Sequence, residues 1–133
     1  MSEPFAHPVR VYWEDTDAGG VVFYANYLKF FERARTEWLR VAGFGQEQLR
    51  GELGVMFVVA ETALQYRRPA RLDDELSITV ESAPPRGATL TLAQSVSRAG
   101  ERLVDSRITI ACVDAGTLRP RRIPKPILEA LFA

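Results

Sequence analysis

Two carboxylates one residue apart, Asp15 and Asp17, precede Gly19 and Gly20 in the stretch EDTDAGGVVFYANY, positions 14 to 27. An apolar, aromatic run leads from the glycines into a helical pattern. Toward a carbonyl centre a carboxylate can act as a nucleophile, or as a general base for water. A helix start supplies unpaired N–H groups and a partial positive charge, both of which favour a developing oxyanion. With Tyr24 and Ala25 at that start, their N–H groups would polarise a bound ester or thioester. The glycines would let the loop bring acid and helix end together. The same residues also make an ordinary turn, in which both acids stabilise the loop by local hydrogen bonds. On residue types alone, both readings stand.

Other chemistries lack their residues. No GxSxG elbow, Walker-type loop or GxGxxG follows a strand. Metal sites need clusters of His, Cys and carboxylates. The chain has one histidine, His7, and one cysteine, Cys112, so no metal site is expected and no disulfide can form within it. A catalytic triad would have to be built on His7, close to the N-terminus. Catalysis must therefore use carboxylates, tyrosines, arginines and backbone groups.

The elements that position these groups follow from periodicity. PVRVYWED alternates as a strand, with Val9, Val11 and Trp13 on one face. From Tyr27 the period lengthens: Leu28, Phe31, Arg35 and Trp38 form a stripe that Phe30, Ala34 and Val41 widen. AGFG ends that helix, and Asn26 is placed to cap its start. Four strands follow: VMFVVAETALQYRRP up to Pro69, ELSITVES, ATLTLAQSVSR and RLVDSRITIACVD, with turns at PPRG and RAGER. The order is a strand, a helix and a four-stranded meander. It predicts an α+β domain over residues 1–133 whose antiparallel sheet curls around one long helix. Open sheet edges would be removed by pairing across a twofold axis, which predicts a dimer.

The 133 residues suit one domain, and 47% apolar with 26% charged side chains is an ordinary globular composition. Seventeen basic and seventeen acidic residues cancel, leaving no overall electrostatic footprint for nucleic acid. The longest strongly apolar run, VMFVVA, is far short of the ~20 residues of a membrane span. MSEPFAHPVR lacks the pattern of a secretion signal. A soluble cytoplasmic protein without membrane insertion is expected.

VRVYWEDTDAGGVVFYANYLKFFERARTEWLR closely resembles the hotdog-fold acyl-CoA thioesterases. The match is dense over positions 9 to 43 and returns at QYRRPARLDDEL, positions 65 to 76. D-x-D-x-x-G-V-V followed by N-Y and an aromatic helix is its specific part. Within the family the chain looks most like the Tol-Pal-associated (YbgC-type) branch, and more distantly like 4-hydroxybenzoyl-CoA thioesterase. The resemblance implies a hotdog fold and an acyl-CoA substrate, with no cofactor beyond the coenzyme A of that substrate. It also implies a homodimer assembling into a homotetramer. The second acid of the pair is catalytic in the family, which points to Asp17, and the N–H that holds the thioester oxygen falls at Tyr24. Asp15, Gly20, Asn26 and Tyr27 match as loop-shaping residues. The branch often carries His in place of Tyr24 and Tyr in place of Trp13. Tyr24 is the residue of the 4-hydroxybenzoyl-CoA branch, and an aspartate-plus-backbone mechanism is compatible with it.

Arg67, Arg68 and Arg71 surround Pro69, and Arg119, Arg121, Arg122 and Lys125 crowd the tail. Either group suits the phosphates of coenzyme A, and either makes an ordinary solvated face. Phe30, Phe31 and Trp38 are expected in the core, His7 on the surface, and Cys112 buried and inert. The alternative to hydrolysis is a hotdog domain that binds acyl-CoA or a protein partner without turnover.

Overall fold

Alternation decides the sheet. In ELSITVES, ATLTLAQSVSR and ERLVDSRITIACVD apolar residues recur at every second position, broken only at Gln94 and Ser106. These segments form β3 (Glu75–Ser82), β4 (Thr89–Arg98) and β5 (Glu101–Asp114). Leu76, Ile78, Val80, Leu90, Leu92, Val96, Ile108, Ile110 and Cys112 are all buried. The structure, a computed structural model, describes residues 4–132. Residues 1–3 and 133, the ends of the expected domain and the start of the expected leader-free N-terminus, lie outside the described residues.

β1 (Phe5–Arg10) and β2 (Val55–Tyr66) complete a five-stranded sheet of order β1-β3-β4-β5-β2, antiparallel at every pairing. The expected meander is therefore confined to β3, β4 and β5. β2 pairs not with β3 but with β5, Val55 opposite Asp114 and Tyr66 opposite Val104, while β3 takes β1 as its neighbour. The cause lies in residues 67–74. With Pro69 inside them they are too long for a tight hairpin, so the chain crosses from one sheet edge to the other. A register shift between Val59 and Glu61 leaves Ala60 as an extra residue, a bulge that bends and twists β2.

α1 (Tyr27–Val41) lies against β1 and β3, with Tyr27, Phe30, Phe31, Ala34 and Leu39 buried. This is the antiparallel sheet around one long helix that the sequence predicts. The buried stripe is rotated from the predicted one, however. Leu28 and Val41 are exposed and Trp38 is half-buried, since neither neighbouring strand reaches that side. Trp13 is also corrected. β1 ends at Arg10 and the backbone stays extended only to Tyr12, so Trp13 leaves the strand face for a 3₁₀ turn (Trp13–Asp15) and is 81% exposed. Gly43 closes α1 at φ +102°, its N–H donating to Arg40 C=O and that of Phe44 to Leu39 C=O.

A helical turn, α2 (Gln46–Gln48), runs into a π turn (Leu49–Leu53), and α3 (Lys125–Phe132) seats Ile127 in the core. Gln94 is polar yet 2% exposed on the inner face of β4. Its amide donates to Phe31 C=O and its oxygen accepts from the Arg35 guanidinium at 3.0 Å. Burial holds the Arg35 pKa below its usual value, with Glu32 working against that shift. His7, expected at the surface, is half-buried on β1, while Cys112 is fully buried and burial pushes its thiol pKa up. Among the described residues no helix is long and apolar enough to cross a membrane, and no cluster of His, Cys or acids fit to hold a metal occurs.

Candidate active site

The two acids of EDTDAGG have separate fates. Asp15 ends its 3₁₀ turn at 3% exposure. One carboxylate oxygen accepts the Tyr12 N–H at 2.8 Å and the other accepts the Asn26 side-chain amide at 2.9 Å. Its C=O accepts the Phe23 N–H. Asp15 therefore ties the incoming strand, the loop and the helix start together. Asp17 stands two residues further along and is exposed. Its N–H donates to Val21 C=O, its C=O accepts from Gly20, and Oδ1 accepts the Gly19 N–H at 2.8 Å. Oδ2 has no partner among the described residues.

The paired glycines serve different needs. Gly20 takes φ +80°, a conformation that side chains other than glycine rarely adopt. Gly19 has no such φ, but a Cβ there would stand 3.2 Å from Asp17 Oδ1. The loop is thus a small hairpin, Thr16 bridged to Val22 and Asp17 bonded to Val21, that delivers the chain to the helix start.

That start is a 3₁₀ turn, Tyr24–Asn26, running directly into α1. Asn26 does not cap it. Its backbone is already helical (φ −69°, ψ −22°) and its side chain is engaged with Asp15, so the expected cap is corrected. The turn's own N-cap position is Phe23, which offers no side-chain acceptor, and the N–H groups of Tyr24 and Ala25 have no acceptor among the described residues. A helix tip with free N–H groups and no cap is electropositive.

Against the tip lies the crossover, residues 67–74. Ala70 C=O accepts the Val22 N–H at 2.8 Å, and Ala70 N–H donates to the buried Tyr27 hydroxyl at 3.0 Å. The Tyr66 hydroxyl donates to Tyr24 C=O at 2.9 Å. Between them opens a cleft of about 260 Å³ lined by Val22, Tyr24, Tyr27, Tyr66, Arg67, Arg68 and Pro69. The sequence stretches 9–43 and 65–76 therefore meet in one place.

Arg67 and Arg68 edge this cleft, paired with Asp105 at 2.5 Å and Glu101 at 3.1 Å. Arg71 does not line it, but its backbone bridges to Val21 beside it. The tail arginines lie elsewhere. Arg121 donates to the Leu53 and Gly54 carbonyls, at the end of β2 away from Tyr66. Sequence reasoning misses Tyr66, whose only signal is an aromatic closing the β2 pattern beside the arginines.

Comparison with known proteins places this arrangement. A model of the thioesterase-like superfamily matches residues 11–131. The chain belongs to that superfamily. It is 46% identical over 130 residues to the Haemophilus influenzae acyl-CoA thioesterase YbgC, covering 98% of this chain and 96% of that one. It is likewise 46% identical over 125 residues to the acyl-CoA thioester hydrolase YbgC of Escherichia coli, covering 93% and 92%. A probable thioesterase from Bartonella henselae superposes with a TM-score of 0.88 at 36% identity, covering 92% of this chain and all of that one. The YbgC-type resemblance seen in two stretches extends over nearly the whole sequence, and the fold of this superfamily member is the hotdog fold.

Proposed function

We propose that this thioesterase-like protein hydrolyses acyl-CoA, or an acyl group on a related pantetheine thiol, to a carboxylic acid and a free thiol. The contrast between the two acids carries the reading. Asp15 is buried with both oxygens engaged, whereas Asp17 is exposed and keeps Oδ2 free. Only Asp17 can meet a substrate. It acts as nucleophile on the thioester carbon, or as general base for a water that attacks there.

The carbonyl oxygen becomes anionic as the tetrahedral centre forms. The N–H groups of Tyr24 and Ala25, fixed at the helix start, receive that charge without reorganising. Loss of one such donor typically costs roughly 10²–10³-fold in rate. The tetrahedral centre then collapses and breaks the C–S bond. The thiolate takes a proton from the Asp17 carboxyl in the general-base route, or from solvent in the nucleophilic route, where a water afterwards hydrolyses the mixed anhydride and frees Asp17. Arg67, Arg68 and Arg71 hold the phosphates at the nucleotide end of the coenzyme. Exposed ion pairs such as Arg67–Asp105 contribute at most ~1 kcal/mol, so a phosphate that offers stronger bidentate geometry displaces them. The names of the relatives at 46% identity support the substrate class. The reading uses no metal or redox cofactor, because Asp17 supplies the attack and the helix-start N–H groups supply the charge stabilisation.

The unpaired edge of β2, with Val59 half-exposed on it, supports a homodimer, and our reading extends this to a homotetramer in the cytoplasm. Sedimentation of the purified protein tests the assembly. For the chemistry, Asp17→Asn should abolish thiol release from acyl-CoA, read with a thiol-trapping dye, while calorimetry still shows acyl-CoA binding. A near-native rate in that variant dismisses the assignment. A native protein that binds acyl-CoAs but releases no thiol from any of them would instead be a non-catalytic binding domain.

A further inference from the structure

Tyr66 is the last residue of β2, and its hydroxyl reaches the C=O of Tyr24 at 2.9 Å. Its ring is held from two sides. It lies 5.7 Å from the Tyr27 ring and meets the Tyr24 ring edge-on at 6.5 Å. Tyr27 is itself 2% exposed and fixed through its hydroxyl to Ala70. The side chain stays 47% exposed where it borders the cleft, and its hydroxyl is directed at that carbonyl.

The carbonyl it touches belongs to the peptide unit that carries the Ala25 N–H. A donor on the oxygen of an amide draws electron density toward that oxygen, raises the C–N double-bond character and makes the N–H a stronger donor. It also fixes the plane of the peptide, and with it the direction of the N–H. That N–H has no acceptor among the described residues.

We propose that Tyr66 is a positioning residue for hydrolysis, its hydroxyl holding and polarising the Tyr24–Ala25 peptide so that the Ala25 N–H meets the thioester oxygen as negative charge develops there. The inference rests on the proposed reading of Asp17 and the helix tip. Tyr66 acts through the peptide and forms no bond to the substrate. Burial, with a smaller effect from Tyr24, pushes the Tyr66 pKa up, so the hydroxyl keeps its proton across the neutral range.

Cooperative strengthening is of order 10–30% per bond, and an oxyanion donor contributes roughly 10²–10³-fold. Removing the hydroxyl while keeping the ring, Tyr66→Phe, should therefore lower kcat by about 2- to 8-fold. KM and the affinity for free coenzyme A should stay as they are, because the cleft wall is unchanged. A spectroscopic readout separates this from loss of structure. With Asp17→Asn retaining the substrate, the infrared stretch of a ¹³C-labelled thioester carbonyl should sit below its solution value, and adding Tyr66→Phe should move it back up. Tyr66 replaced by 3-fluorotyrosine, a stronger donor of nearly the same shape, should move it further down; this variant serves if Tyr66→Phe does not fold.

A Tyr66→Phe enzyme with native kcat and an unmoved carbonyl stretch overturns the inference while Asp17→Asn remains inactive. An unmoved stretch with 3-fluorotyrosine has the same consequence. If Asp17→Asn itself turns over at the native rate, the reading of the site falls and takes this role of Tyr66 with it.

Discussion

Exchanging the residues of the Asp15–Asn26 pair separates the folding of the loop from the work of the helix tip. Asp15 accepts two hydrogen bonds at 3% exposure, from Tyr12 N–H and from the Asn26 amide. In Asp15→Asn one oxygen becomes an NH₂ group, so one of the two donors faces another donor. A buried donor left unsatisfied costs ~1–3 kcal/mol, and a charge-assisted bond is lost as well, so a destabilisation of about 2–3 kcal/mol is expected. Asn26→Asp sets a second carboxylate within 2.9 Å of the first, at a site only 7% exposed, and should cost at least as much. Combining Asp15→Asn with Asn26→Asp restores a legal arrangement. The amide introduced at position 15 accepts the Tyr12 N–H and donates to the carboxylate introduced at position 26, and the net charge is unchanged. Urea unfolding followed by tryptophan fluorescence should place the double variant within about 1 kcal/mol of the native protein, giving a coupling of several kcal/mol between the two sites. Its kcat should stay low, because the charge now sits on the first turn beside the free N–H groups and repels a developing oxyanion. Costs that simply add in the double variant would refute the bonding scheme. Recovery of kcat together with stability would refute the electrostatic reading of the tip.

Two further substitutions probe the surroundings. Gly19→Ala places a methyl 3.2 Å from Asp17 Oδ1 without demanding an unusual φ, so kcat should fall while the urea midpoint moves by no more than ~0.5 kcal/mol equivalent. At Asp74, burial works to raise the carboxyl pKa, but bonds from the Arg71 N–H and the Arg98 guanidinium outweigh it and hold the group below its ordinary 3.8. A depressed folded-state pKa means that the contribution of this carboxylate is complete above 3.8 and is lost as pH falls through the lower value. Asp74→Asn should therefore cost about 1–2 kcal/mol at neutral pH and progressively less in urea titrations as pH falls below 3.8. A cost that is constant with pH would show that the effect is not ionic.

The helix and three strands were legible because local periodicity determines them. Phe30, Phe31 and Ala34 repeat at helical spacing, and Leu76, Ile78 and Val80 alternate, so each buried face is written in adjacent residues. The partner of β2 was not legible. Alternation fixes which side of a strand is buried but not which neighbour it pairs with, and only the length of 67–74 and Pro69 spoke against a hairpin. Trp13 misled for a related reason. It continues the alternation of Val9 and Val11, yet the strand has already ended at Arg10. In the site, the acid pair and its glycines stood out, but their division of labour did not. Asp15 lies three residues after Tyr12, the spacing at which a side chain reaches back to a turn's first N–H, and that was the available clue. Tyr66 bonds to a carbonyl 42 residues away, a contact with no local signature.

The failed expectation about Asn26 is the most informative of these. Asparagine before a helix normally caps it, and forgoing a cap costs ~1 kcal/mol of helix stability. This chain forgoes it: the Asn26 amide is turned onto the buried Asp15, and the turn ahead of it starts at Phe23, which has no side-chain acceptor. The N–H groups of Tyr24 and Ala25, the kind of donor that an anionic ligand needs, are left open. The departure is local: at its other end the same helix closes with both C-terminal bonds in place through Gly43 and Phe44. A sequence that follows the rule at one terminus and breaks it at the other, where a cleft opens, is arranged for the exposed N–H groups. If so, placing an acceptor at the turn's own N-cap position, as in Phe23→Ser, to bond the Ala25 N–H should slow the enzyme, whereas strengthening the C-terminal closure of the helix should leave turnover alone.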